Sequence, residues 1–166
     1  MPVVSNTSPI LNLALIERLS LMRTQFSTVF IPKGVLEELR VNENLPGSKK
    51  ILDALDSRWL QVEEVKDSSM LRILKRELDA GEAETIALAL EKRAKLVLLD
   101  ESEARRMAKA AGLKVTGVLG ILLLAYRQKQ IPSLRTEMEF LREKAGFYIA
   151  DHLFENLIKQ SQSFEE

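Results

Sequence analysis

At 166 residues, with 46% hydrophobic and 29% charged content, the chain is sized and composed for one globular domain with an ordinary core, not for a disordered or membrane-spanning protein. It has no cysteine, which excludes disulfides, thiol catalysis and cysteine metal sites. Its 24 Lys and Arg balance 24 Asp and Glu, which excludes a bulk electrostatic nucleic-acid binder and leaves room for a local basic rim. No apolar run reaches membrane length, no leader pattern opens the chain, and a cytoplasmic location is the expectation.

Pro2 to Ser5 reads as a short first strand. Asn6-Thr-Ser-Pro follows, with Thr7 or Ser8 suited to an N-cap and Pro9 to a first helical turn. A mostly apolar helix runs on through Ile16, and Leu19 to Phe26 reads as a second short one. Thr28 to Pro32 is the next strand, ended by proline, and Gly34 to Val41 the next helix. A polar loop spans Asn42 to Ser48, and Lys49 to Leu55 is helical. Trp59 to Val65 alternates like an edge strand, with Trp59 itself a core residue, and Leu71 to Leu78 is a helix.

The stretch from Asp79 to Leu90 carries the pattern on which the rest depends. Gly81 is expected to break the preceding segment and Glu82 to start a helix, with Ala83, Ile86, Ala87 and Leu90 on one face. Leu96 to Leu99 is then an apolar run of the kind that fills a strand buried on both faces, and it halts at Asp100. Ser102 to Ala111 is a helix ended by Gly112, Lys114 to Thr116 a last short strand, and Gly117 opens the helix that holds the longest apolar run, Val118 to Tyr126. Two amphipathic helices, at about 134–145 and 151–160, close the chain. Strands alternating with helices predict an α/β domain with a parallel sheet, a single domain over 1–166.

Four places put a polar group at a strand end or helix start: Asn6, Glu37 or Glu38, Glu82, and Asp100 with Glu101 and Glu103. Each has an ordinary structural explanation, since acids favour first helical turns and follow buried strands as turn formers. Together, in a chain with no cysteine and one histidine, they suit a hard cation such as Mg²⁺ or Mn²⁺. Such a site would bind phosphates and activate water for hydrolysis. His152 reads as a surface residue. Arg105, Arg106 and Lys109 read as a solvated face that could also steer phosphates to the site.

The pieces Val3-Val-Ser-Asn-Thr-Ser-Pro, Ile31-Pro-Lys-Gly-Val-Leu-Glu-Glu-Leu, Gly81-Glu-Ala-Glu-Thr-Ile-Ala-Leu-Ala and Leu98-Leu-Asp-Glu with Ala104-Arg-Arg-Met-Ala resemble, in this order and spacing, the PIN domain family of metal-dependent nucleases. Val115-Thr-Gly-Val-Leu-Gly and the two last helices resemble one subgroup of it. The resemblance implies a three-layer α/β/α sandwich with a central parallel sheet. By position it implies a site of Asn6, Glu38, Glu82 and Asp100, with Glu101 or Glu103 as a further metal ligand. Ser8 or Thr116 would hold a metal-bound water or a neighbouring carboxylate, and Arg105, Arg106 and Ser8 would meet nucleic acid. It implies single-stranded RNA as substrate, Mg²⁺ or Mn²⁺ as cofactor, and a toxin–antitoxin pair in which a small antitoxin protein blocks the site.

Asn6 is the departure, for the family carries an aspartate there. Asparagine offers one neutral carbonyl oxygen where aspartate offers a charged pair. The alternative reading is therefore a weakened or inactive PIN-fold binding protein. Leu141, Phe147, Leu153, Phe154 and Leu157 offer more apolar surface than a helix pair needs, and the expectation is that part covers the core and part pairs two copies into a dimer.

Overall fold

The computed structural model describes residues 1–163, in which five short strands form one sheet. They are β1 (Val3–Ser5), β2 (Val29–Pro32), β3 (Leu60–Glu63), β4 (Leu96–Leu98) and β5 (Val115–Thr116). Their order is β3-β2-β1-β4-β5 and every pair is parallel. In the first half of the described chain the helices are α1 (Thr7–Leu15), α2 (Ser20–Phe26), α3 (Lys33–Leu39), α4 (Ser48–Asp56) and α5 (Ser69–Leu74). In the second half they are α6 (Ala80–Glu91), α7 (Ser102–Ala110), α8 (Val118–Arg127), α9 (Leu134–Lys144) and α10 (Asp151–Gln162).

The two-residue period of the strands sorts their side chains into two cores. Val3, Val29, Ile31 and Leu98 face one way and pack with α1 to α4 and α8 to α10. Val4, Val97 and Leu99 face the other way and pack with α5, α6 and α7. The result is the expected α/β/α sandwich, with buried β1 and β4 at its centre and β3 at one edge. Trp59 is buried at the foot of β3. Leu141 and Phe154 of the last helices are buried in the first core, whereas Leu153 stays exposed. No helix among the described residues is long and apolar enough to cross a membrane.

Several boundaries differ from the sequence reading. The helix expected from Glu82 begins at Ala80, with Gly81 inside it, because Asp79 caps the helix by accepting from the Glu82 amide at 2.8 Å. The N-cap of α1 is Asn6, one or two residues before the expected Thr7 or Ser8. Helix α3 ends at Leu39 because Arg40 turns left-handed at φ 50°, and a 3₁₀ turn follows at Val41–Glu43. The helix expected over Leu71 to Leu78 is the shorter α5.

Ile86 on α6 is fully buried in the second core. Ile86→Ala should lower stability by about 2–5 kcal/mol, read as a lower urea midpoint with an unchanged slope.

Candidate active site

The strand order reverses between β1 and β4: one connection from β1 leads to β2 and β3, and the chain then returns to β4 on the other side of β1. In open parallel sheets the crevice at such a switch point, outside the carboxyl ends of the strands, is where ligands sit. Here the ladder continues past the strands, with the Asn6 amide donating to the Leu98 carbonyl at 3.0 Å and the Leu99 amide to the Thr116 carbonyl at 2.9 Å. A cavity of about 570 Å³ opens at these ends. Asn6, Thr7, Ser8, Glu38, Asp79, Glu82, Asp100 and Glu101 all line it, so the structure brings the four family positions together.

Asn6 is buried at the N-cap of α1, and its side chain makes no cap bond. An N-cap carbonyl oxygen usually accepts from the second or third helical amide. The third helical residue is Pro9, which has no amide hydrogen to give. Asn6 Oδ1 is left buried and without a hydrogen-bond partner.

Asp100 is held by both oxygens. Its Oδ2 accepts from the Ser8 hydroxyl at 2.7 Å, and Ser8 Oγ accepts from Asn12 Nδ2 at 2.9 Å. Its Oδ1 accepts from the Val118 amide at 2.8 Å, so the carboxylate caps α8. Gly117 makes that approach possible, because a Cβ there would fall 2.4 Å from Oδ1. Burial pushes the Asp100 carboxyl up, and the Val118 amide, Ser8 and Arg105 only partly offset it.

Glu82 is buried in the first turn of α6, where its Oε1 accepts from the Asp79 amide at 3.2 Å to complete a capping box. Desolvation first, and the Asp79 charge second, raise its carboxyl from 4.5 to about 7. Glu38 reaches in from α3. Its Oε2 accepts from the Thr7 hydroxyl at 2.6 Å, and it lies on the bare backbone of Gly81, where a Cβ would meet its Oε1 at 2.3 Å. Glu37 is exposed and does not line the cavity.

The remaining candidates separate. Glu101 lines the cavity as the N-cap of α7. Glu103 does not; it is exposed and paired with Arg106 one turn on, which takes both residues away from the cleft. Arg105 and Thr116 line an adjoining cavity of about 410 Å³, where Arg105 Nη1 donates to the Leu99 carbonyl at 2.8 Å. Lys109 and His152 are exposed and line neither cavity. Sequence reading missed Asp79, whose Asp-x-x-Glu spacing to Glu82 was the signal. It also missed Asn12, one turn after Ser8, and Tyr148, which lines both cavities beside Phe147.

Does this donor set suit a cation? Every candidate ligand is an oxygen, one is an orphaned buried carbonyl, and two are carboxyls whose charged form burial disfavours. That chemistry fits Mg²⁺ or Mn²⁺. Among the described residues, however, no three His, Cys, Asp or Glu side chains are grouped so as to hold one ion. The set therefore fits an ion held by one or two carboxylates, a neutral oxygen and its own waters, which is the usual way of Mg²⁺.

A carboxyl raised on folding contributes stability below its unfolded value and loses it as pH rises through its folded value. For Glu82 that window runs from 4.5 to about 7. Metal-free protein should lose about 2 kcal/mol between pH 5 and pH 8 from this group. In Glu82→Gln the loss should be smaller by that amount, as thermal melts at the two pH values would show.

A family model for the PIN domain matches residues 2–163, nearly the whole chain. No curated protein and no solved structure matches it.

Proposed function

The chain belongs to the PIN domain family, a nuclease-type fold, and from that membership we propose that it is a ribonuclease dependent on Mg²⁺ or Mn²⁺. One observation carries the reading. Acidic side chains from α3, α6 and the end of β4 meet the orphaned Asn6 carbonyl around a single cavity at the switch point of the sheet.

In this reading Asn6, Glu82 and Asp100 hold the ion, and Glu38 closes the side of the cavity towards α3. A bound divalent ion supplies a Lewis acid for the phosphate and a water of lowered pKa. Ser8 keeps one Asp100 oxygen turned to itself, and the Val118 amide keeps the other, so the carboxylate cannot swing out of the cleft. Thr7 holds one oxygen of Glu38. The substrate is single-stranded RNA, whose unpaired backbone reaches a recessed cleft more easily than a duplex does. A toxin's role, with a small antitoxin protein covering the cleft, and self-association through the exposed part of α10 belong to the same reading. Light scattering at micromolar concentration should give a dimer mass, and a monomer mass would remove that part of it.

A second reading is a PIN-fold binding protein with weakened catalysis. It is favoured by neutral Asn6 and by the lack, among the described residues, of three grouped acidic ligands. Asn6→Asp decides between them. It should lower stability without metal by burying another carboxylate, and it should bind Mn²⁺ more tightly. Tenfold tighter binding adds about 1.4 kcal/mol to the stabilisation at saturating Mn²⁺. Melts of both proteins with and without Mn²⁺, beside cleavage of labelled RNA, are the test. Equal Mn²⁺ shifts would show that position 6 does not touch the ion, and absence of cleavage by both proteins would favour the binding protein.

A further inference from the structure

The link between α9 and α10 puts an aromatic ring where water would be expected. Tyr148 is 85% exposed and is the only exposed aromatic side chain among the described residues. Its backbone is nonetheless pinned on both sides. Gly146 takes φ +63°, which lets the Phe147 amide reach back to the Leu141 carbonyl at 2.9 Å and close α9. Arg142 then donates to the Ile149 carbonyl at 2.6 Å, and the Ile149 side chain is buried in the core. The chain holds Tyr148 out, at a fixed place.

That place is the wall between the two cavities. Phe147, Tyr148, Asp100 and Ser102 line both the carboxylate cavity and its neighbour of about 410 Å³. The neighbour is apolar along Leu119, Leu153 and Leu157, and polar at Arg105 and Thr116. A ligand spanning both must carry a group for the carboxylate-lined side and, a short spacer away, a flat group with an apolar face and polar edges. A nucleotide has that form, with sugar between phosphate and base.

We propose that the Tyr148 ring, backed by Phe147, is the stacking face of a nucleobase subsite for the nucleotide beside the phosphodiester. The proposal rests on the nuclease reading and adds to it a positioning surface that accepts any base, since every base has a stacking face. A protein segment lying across α10 is the other occupant the groove could take; it would cover Leu153 and Leu157 and have no use for continuity with the carboxylate cavity.

The test compares a labelled single-stranded RNA oligomer with an abasic oligomer of the same length, by anisotropy in Ca²⁺. The parent should bind the base-bearing oligomer roughly tenfold more tightly than the abasic one. Tyr148→Ala should lose that preference by weakening only the base-bearing complex, Tyr148→Phe should keep it, and both should melt as the parent does because the side chain is exposed. Equal affinity of the parent for both oligomers, or an equal loss for both in Tyr148→Ala, overturns the subsite even if the parent cleaves RNA in Mn²⁺. A parent that shows the base preference and does not cleave leaves the subsite standing and removes the nuclease reading. No binding of either oligomer overturns both.

Discussion

Everything at the candidate site hangs on the parallel pairing of β1 with β4. Val3, Val4 and Ser5 lie beside Leu96, Val97 and Leu98, and one further rung, from the Asn6 amide to the Leu98 carbonyl, continues the ladder into the loops. That register joins parts of the chain far apart in sequence, so that Ser8 can donate to Asp100 across 92 residues. A slip of β1 by one residue would turn Val4 to the wrong core and carry Asn6 away from Asp100. The pairing is paid for by full burial of Val4, Val97 and Leu98 rather than by any polar contact in the cleft. The site is thus a by-product of a packing decision made beneath it.

The cleft gathers acid and compensates it mainly with backbone. Asn6, Asp79 and Glu101 are the N-caps of α1, α6 and α7, and Asp100 caps α8, so four helix starts surround the acidic side chains. Helix amino termini carry partial positive charge, which lets Asp100 and Glu82 be buried with no lysine or arginine among the described residues bonded to either. The compensation is incomplete, since both carboxyls remain raised. Arg105 adds its charge beside Asp100, while Arg106 is paired with Glu103 at the surface.

Much of this was legible in the sequence, and the failures have physical causes. The Leu96 to Leu99 run and the strand–helix alternation are sufficient for the layered parallel fold, because only strands covered on both faces are apolar throughout. Asn6, Glu38, Glu82 and Asp100 could be read as a group from strand ends and helix starts. Glu103 could not be separated from Glu101 by position alone. What removes it is a side-chain pairing one turn along α7, a local competition between a distant cleft and a near arginine. Gly81 looked like a helix breaker because glycine destabilises helix interiors; the Asp79 cap carries α6 across it, and what a side chain there would meet, Glu38 arriving from α3, is a tertiary fact. Tyr148 was invisible, since nothing in one sequence distinguishes a ring held out in water from a ring turned into a core.

The seats beneath the acids have a meaning for sequence variation. Glu38 rests on Gly81, Asp100 on Gly117, Glu84 on Gly34 and the Thr116 hydroxyl on Gly120, each within 2.4 Å of where a methyl would stand. Losing an acid leaves its seat vacant and the backbone undisturbed. Gaining a methyl on Gly81 displaces the end of Glu38, and gaining one on Gly117 displaces Asp100 and presses on the Leu99 carbonyl as well. The two members of each pair are therefore unequal. Across divergent relatives the glycine should outlast its acid, and alanine should appear at 81 or 117 only where 38 or 100 has already become small. Drift at this cleft would then have a direction: acids lost first, seats later, and the order of loss left readable in the glycines.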